Sequence, residues 1–111
     1  PIQMYGDGSS KRDYTYVKDI VEGICSALQK DFNFEIINLG NSDPIKLKTF
    51  ISIIEQNLNK KAKIIQKPIP QGDVPITYAD ISKAKKILGY NPKTEIKTGI
   101  KKFVDWYLDN H

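Results

Sequence analysis

"GDGSSKRDYTYVKDIVEGI", Gly6 to Ile24, decides how this chain is read. Two glycines and two serines make a turn-rich loop over Gly6–Lys11. Tyr and Thr then alternate in a β-like run over Asp13–Tyr16. Val17, Ile20, Val21, Ile24, Ala27 and Leu28 follow at helical spacing, with Asp19, Glu22 and Gln29 on the other side. A carboxylate at Asp19 suits the first turn of that helix. A glycine loop lets a backbone pass close to a neighbour. The planar fork of Arg12, directly after the loop, suits phosphate oxygens. The residues alone leave open a structural ion pair between Arg12 and Asp13 or Asp19.

Reading outward, Pro1–Tyr5 is a short strand. Phe34–Leu39, "FEIINL", reads as a buried strand ended by "GNSDP". A helix spans about Leu47–Leu58, with an apolar stripe of Leu47, Phe50, Ile51, Ile54 and Leu58. Ala62–Gln66 is a short strand. "KPIPQGDVP", Lys67–Pro75, holds three prolines and a glycine and is an extended loop. A helix over about Ile81–Leu88 takes its cap from Asp80 or Ser82 and stops at Gly89. "YNPKT" turns into a last helix, about Glu95–Asn110, with Ile96, Ile100, Phe103, Val104 and Tyr107 inward. The order β-β-α-β-α-β-α-α makes a small α/β domain with no internal boundary or repeat.

The chain has 111 residues, about one domain on a prior of ~150 residues each. Its net charge is +4. That basic balance invites a nucleic-acid reading. The lysines argue against it. They lie in groups (Lys60, Lys61, Lys63; Lys83, Lys85, Lys86; Lys97, Lys101, Lys102) on or beside helices with apolar opposite faces, and read as solvated faces. One cysteine, Cys25, cannot form an internal disulfide and reads as a small core residue of its helix. A reducing, cytoplasmic compartment fits. No apolar run reaches the ~20 residues of a membrane span. The start at Pro1, inside a strand-like run, reads as the interior of a longer protein.

No catalytic set emerges, and no metal ligands cluster. There is no G-x-G-x-x-G after a strand and no P-loop. His111, the only histidine, ends the chain, so no histidine triad is available. Tyr14 and Lys18 have Tyr-x-x-x-Lys spacing, but Tyr14 reads as strand, and that pair needs one helix face. Three features read as binding. One is the glycine loop with Arg12. Another is "QGDVP", where Asp73 either presents a carboxylate to a sugar diol or serves only as a turn residue. The third is "PIQMY", a strand end whose backbone can meet a base edge.

"GDGSSKRDYTYVKDIVEGI", "NLGNSDPIKL" and "QGDVPITYADISKAKKILGYNPKTEIKTGIKKFVDWY", in this order and spacing, resemble the C-terminal part of extended short-chain dehydrogenase/reductases acting on nucleotide sugars. The UDP-glucuronate 4-epimerase group fits best, and the resemblance covers essentially all 111 residues. It implies an α/β fold with short strands and about four helices, forming the substrate lobe of a Rossmann-type enzyme. By this resemblance Arg12 binds the diphosphate, Asp73 the uridine ribose, and Gln3 and Tyr5 offer backbone groups near uracil. NAD and the catalytic Tyr/Lys pair belong to a Rossmann domain that this chain lacks. None of its own residues is catalytic. Gln71 departs from relatives that carry a second phosphate-binding arginine there. The expected partners are a UDP-sugar, the Rossmann domain and a second copy as a homodimer, without nucleic acid or membrane. The alternatives are a lobe of a nucleotide-sugar dehydratase or decarboxylase, or a stand-alone basic binding module.

Overall fold

Eight elements form in a computed structural model that describes residues 1–111. They are β1 (Ile2–Tyr5), β2 (Lys11–Arg12), α1 (Val17–Leu28), β3 (Ile45–Lys46), α2 (Leu47–Leu58), β4 (Ile64–Lys67), α3 (Ser82–Leu88) and α4 (Ile96–Asn110). β1 and β4 pair in parallel, from Ile2 against Ile64 to Tyr5 against Lys67. β2 and β3 pair antiparallel, Lys11 against Lys46 and Arg12 against Ile45.

The helix boundaries follow from local chemistry. Asp80 accepts the Ser82 backbone N–H at 3.0 Å and its hydroxyl at 2.6 Å, fixing the entry to α3. Gly89, at φ +64°, ends α3, and the Gly89 and Tyr90 amides return to the Lys85 and Ala84 carbonyls. Asn59 closes α2 in the left-handed region. Glu55 then ties the end of α2 to the approach of β4 by accepting the Ala62 N–H at 2.9 Å and the Lys61 ammonium at 3.2 Å.

Two small cores form instead of one. Ile81, Ala84, Leu88 and Tyr90 gather with Ala27, Ile37 and Leu39, joining α1 to α3. Ile53, Ile100 and Val104 gather with Phe50, Ile54, Leu58 and Ile96, joining α2 to α4. The result is a slab of 49 × 38 × 19 Å. Its radius of gyration, 16.5 Å, exceeds the ~13 Å of a compact chain of this length.

Four expectations are corrected. Phe34–Leu39 is not a buried strand. It forms no strand, none of its backbone groups pairs with another backbone group, and Phe34 and Ile36 are 80% and 70% exposed. β-prone residues make a strand only where a neighbour supplies the ladder, and none lies beside them. The second strand is Lys11–Arg12 and does not continue over Asp13–Tyr16. There the Asp13 carboxylate binds other segments, and the Tyr14 ring stacks on Phe50 with centroids 4.1 Å apart. Most of the apolar stripe of α1 stays outside the core, where Ala27 alone packs against the α1–α3 cluster. Val17, Val21, Ile24 and Leu28 are exposed, whereas Asp19 and Gly23 are buried. Cys25 rides on that outer side and is exposed rather than packed. The slab has no further layer to cover it.

Candidate functional site

The strip between the two cores carries the candidate site. β2 lies between β3 and the segment around Ile76. The Lys11 amide donates to Pro75 O at 2.8 Å, and the Thr77 amide to Lys11 O at 3.2 Å. Arg12 thus projects over the proline-rich loop. That loop turns at Pro70–Asp73, where the Asp73 amide reaches Pro70 O at 3.2 Å and Gly72 takes φ +86°. A turn with positive φ at its third residue favours glycine.

The geometry joins Arg12 to Asp73. Arg12 Nη2 donates to Asp73 Oδ1 at 2.9 Å and to Val74 O at 2.9 Å, and Nη1 donates to Lys11 O at 2.7 Å. A guanidinium has five N–H donors, so two remain for another acceptor. Both side chains are about one-third exposed, 31% and 39%. A ligand can reach the pair, and its net worth to stability is small, about 0–1 kcal/mol. Neither Asp13 nor Asp19 pairs with Arg12.

Those two carboxylates anchor backbone instead. Asp13 accepts the amides of Asn41, Ser42, Asp43 and Ala79 at 2.9–3.3 Å. Ser42, at φ +56°, helps these amides converge, as successive N–H groups do in an anion nest. Gly40 allows the approach, since a Cβ there would lie 2.7 Å from Asp13 Oδ2 and 2.6 Å from the Ala79 Cβ. Asp19 accepts the Lys93 and Thr94 amides at 3.4 and 3.1 Å. Tyr90 braces the Gly40–Asp43 turn, donating its hydroxyl to Gly40 O at 2.6 Å. Burial raises the Tyr90 phenol above its ordinary 10.0, and the nearby charges of Asp19 and Asp13 add to the rise. Burial also raises Tyr14, against an opposing pull from Arg12. The roles of Asp13 and Tyr90 are absent from the sequence reading. The small polar run Gly40–Asp43 was the available signal for the first.

Gln3 and Tyr5 sit on β1, side by side, with the Tyr5 hydroxyl 3.2 Å from Gln3 Oε1. The amides of Ile2 and Gly6 bond to β4-side carbonyls. By strand alternation, the backbone groups of Gln3 and Tyr5 face the open edge of β1. No hydrogen bond links this pair to Arg12 and Asp73. The glycine loop between them approaches the chain itself. The Lys48 amide donates to Gly8 O at 3.0 Å, and a Cβ on Gly8, at φ +83°, would lie 2.9 Å from the Lys48 Cβ. Part of the reason for the loop is therefore the first turn of α2.

An apolar concavity lies elsewhere. A groove of about 750 Å³ runs between residues 14–17, α2 and α4, lined by Tyr14, Tyr16, Phe50, Ile100, Phe103 and Trp106 among others. Neither Arg12 nor Asp73 borders it. Its lining is largely apolar, with Glu95 and Lys102 the charged residues on it. No helix is long and apolar enough to cross a membrane.

Comparison with known proteins assigns the family. Residues 1–103 match the family model described as GDP-mannose 4,6 dehydratase. An uncharacterised protein of Methanocaldococcus jannaschii is 53% identical over 109 residues, covering 98% of this chain and 33% of that protein. A UDP-glucuronate 4-epimerase of Thermodesulfobacterium geofontis is 43% identical over 111 residues, covering 99% and 34%. The crystal structure of UDP-glucuronic acid 4-epimerase from Bacillus cereus, in complex with UDP-glucuronic acid and NAD, superposes with a TM-score of 0.89 at 31% identity. It is covered over 36% of its length, against 100% of this chain. The chain thus spans about a third of the length of the relatives it matches. It belongs to the GDP-mannose 4,6-dehydratase family and has the fold of the C-terminal part of an extended short-chain dehydrogenase/reductase epimerase.

Proposed function

We propose that this family member is the UDP-sugar-binding lobe of an NAD-dependent nucleotide-sugar 4-epimerase, with a UDP-uronic acid of the glucuronate type as substrate. The observation that carries this reading is the meeting of Arg12 and Asp73 at 2.9 Å, from segments 61 residues apart. The two free donors of Arg12 bind the diphosphate. Asp73 Oδ2, which makes no hydrogen bond within the chain, accepts from a ribose hydroxyl. The open edge of β1 at Gln3 and Tyr5 offers backbone donors and acceptors to uracil. The B. cereus relative is described with UDP-glucuronic acid and NAD, which supports this substrate class.

NAD does not fit the residues of this chain. β1 and β4 run into the Gly6 loop and a proline-rich loop, respectively. No glycine-rich turn leads from either parallel strand into a helix, the arrangement that holds a dinucleotide pyrophosphate. NAD and the proton-transfer residues therefore fall to a Rossmann domain corresponding to the further two-thirds of the relatives. The exposed α1 face is the surface we assign to that domain. A dehydratase lobe is the second reading, favoured by the description of the family model. A basic polyanion-binding module has less support. Lys61, Lys83 and Lys101 already face Glu55, Glu35 and Asp105.

The test is an amide-resolved NMR titration of the chain with UDP, and with AMP in parallel. Shifts confined to Gly6–Asp13 and Gly72–Val74 with UDP alone are the expected result. Equal response to both nucleotides, or response only along the lysine faces with steep salt dependence, overturns the reading.

A further inference from the structure

We propose that Asp13 is a positioning residue: its carboxylate sets the Arg12–Asp73 pair in place for a ligand, although no hydrogen bond joins it to either side chain. The inference deepens the nucleotide reading and rests on it for the identity of the ligand. Residues Lys63–Tyr78 are exposed throughout, so packing does little to fix the segment that carries Asp73. Apart from the turn between Asp73 and Pro70, the hydrogen bonds that hold Asp73–Ala79 to the rest of the chain come from three consecutive residues. Arg12 holds one end, at Asp73 Oδ1 and Val74 O, each at 2.9 Å. The Lys11 backbone holds the middle, at Pro75 O and the Thr77 amide. Asp13 holds the other end, where its Oδ2 accepts the Ala79 amide at 3.1 Å.

The Asp13 hold leads back to a core. The same carboxylate accepts the Asn41, Ser42 and Asp43 amides at 2.9–3.3 Å. Those amides follow Gly40, which is buried and whose carbonyl takes the hydroxyl of the buried Tyr90 at 2.6 Å. Ala79 packs against that core. A binding pair keeps its geometry only when a supporting shell fixes it. Arg12 and Asp73 are each about one-third exposed, 31% and 39%, and an exposed ion pair is too weak to be its own support. The support runs from the Gly40 turn through Asp13 to Ala79, and along the segment to Asp73. Without Asp13 the pair loses this frame. A ligand then has to supply the missing order on binding, and its affinity falls.

The test titrates UDP into the parent chain and its variants by calorimetry, after circular dichroism has shown each to be folded. The Asp73 and Val74 amide signals are read by NMR in the ligand-free state. Asp13→Ala should raise the Kd about fivefold, the scale of coupling between neighbouring contacts. In an Arg12→Ala background the same change should add less than about twofold, because no guanidinium is left to position. A merely structural loss would add in full. Ala79→Pro deletes the one donor that reaches the segment and keeps Asp13 with its turn amides. It reads the same link even where Asp13→Ala fails to fold, and it should weaken UDP binding to the same extent. Both variants should move the Asp73 and Val74 signals before any ligand is added. Additive losses overturn the proposal, as does UDP binding by Ala79→Pro as tight as the parent's. So do Asp73 and Val74 signals indifferent to both variants. A parent chain that does not bind UDP rejects the nucleotide reading instead, and the ligand-free signals then decide the role of Asp13.

Discussion

Arg12 donates one nitrogen, Nη2, to both Asp73 Oδ1 and the Val74 carbonyl, each at 2.9 Å. A single guanidinium thus fastens the proline-stiffened loop to the central strip. It also keeps two donors free on a side chain that water can reach. The contact that shapes the loop and the contact offered to an anion come from the same group. A ligand phosphate therefore meets an arginine whose rotamer is already fixed, and the ordering cost of binding falls.

Arg12→Ala should weaken UDP binding by more than the ~1 kcal/mol of a neutral hydrogen bond, about fivefold or more in Kd, because a charge-assisted contact is lost. Arg12→Lys should recover little, since an ammonium cannot hold Asp73, Val74 and a phosphate together. Calorimetric titration with UDP measures both. An unchanged Kd for Arg12→Ala rejects the assigned role.

Asp13→Ala should destabilise the fold by about 2–3 kcal/mol, the cost of losing a charged acceptor. Four amides from two segments lose their partner at once. Asp13→Asn should lose nearly as much, because its NH₂ group would face N–H donors. Urea denaturation monitored by circular dichroism reads both values. A loss below about 0.5 kcal/mol would mean that water replaces the carboxylate without cost.

The helices were legible because helix periodicity and turn residues are local signals. α2, α3 and α4 lie within a residue or two of where Leu47, Asp80 with Gly89, and Glu95 put them. What the sequence hid depends on neighbours. "FEIINL" has the composition of a strand, but a strand is a pairing, and the chain supplies no partner for it. The stripe of α1 has helical spacing, yet spacing does not say which layer will cover it. Asp73 was singled out for its loop and Arg12 for its fork. Their meeting across 61 residues is a property of tertiary geometry. The β3 pair Ile45–Lys46 was missed because two residues after a proline carry no period of their own.

Tyr90→Phe should cost about 1–2 kcal/mol at neutral pH, since Gly40 O loses a buried donor. It should also change the alkaline limb. The folded Tyr90 phenol lies above its ordinary 10.0, so stability held below pH 10 falls as pH rises through the folded value. Tyr90→Phe should fall less steeply there. Denaturation midpoints from pH 8 to 11 decide this, and parallel curves for the two proteins would remove Tyr90 as a cause.

Val21→Lys and Ile24→Lys should each alter stability by less than about 0.5 kcal/mol, because both side chains already face water. Ile100→Ala, by contrast, opens the α2–α4 core and should cost about 2–4 kcal/mol. The same two lysine variants should lower the binding of a hydrophobic dye, since Val21 and Ile24 stand in the middle of the exposed stripe of α1. Together these readouts separate a face that awaits a partner from a face that packs within the chain. A loss above about 1 kcal/mol at Val21 or Ile24, with dye binding unchanged, would put α1 inside the fold and leave the Rossmann domain no surface here to cover.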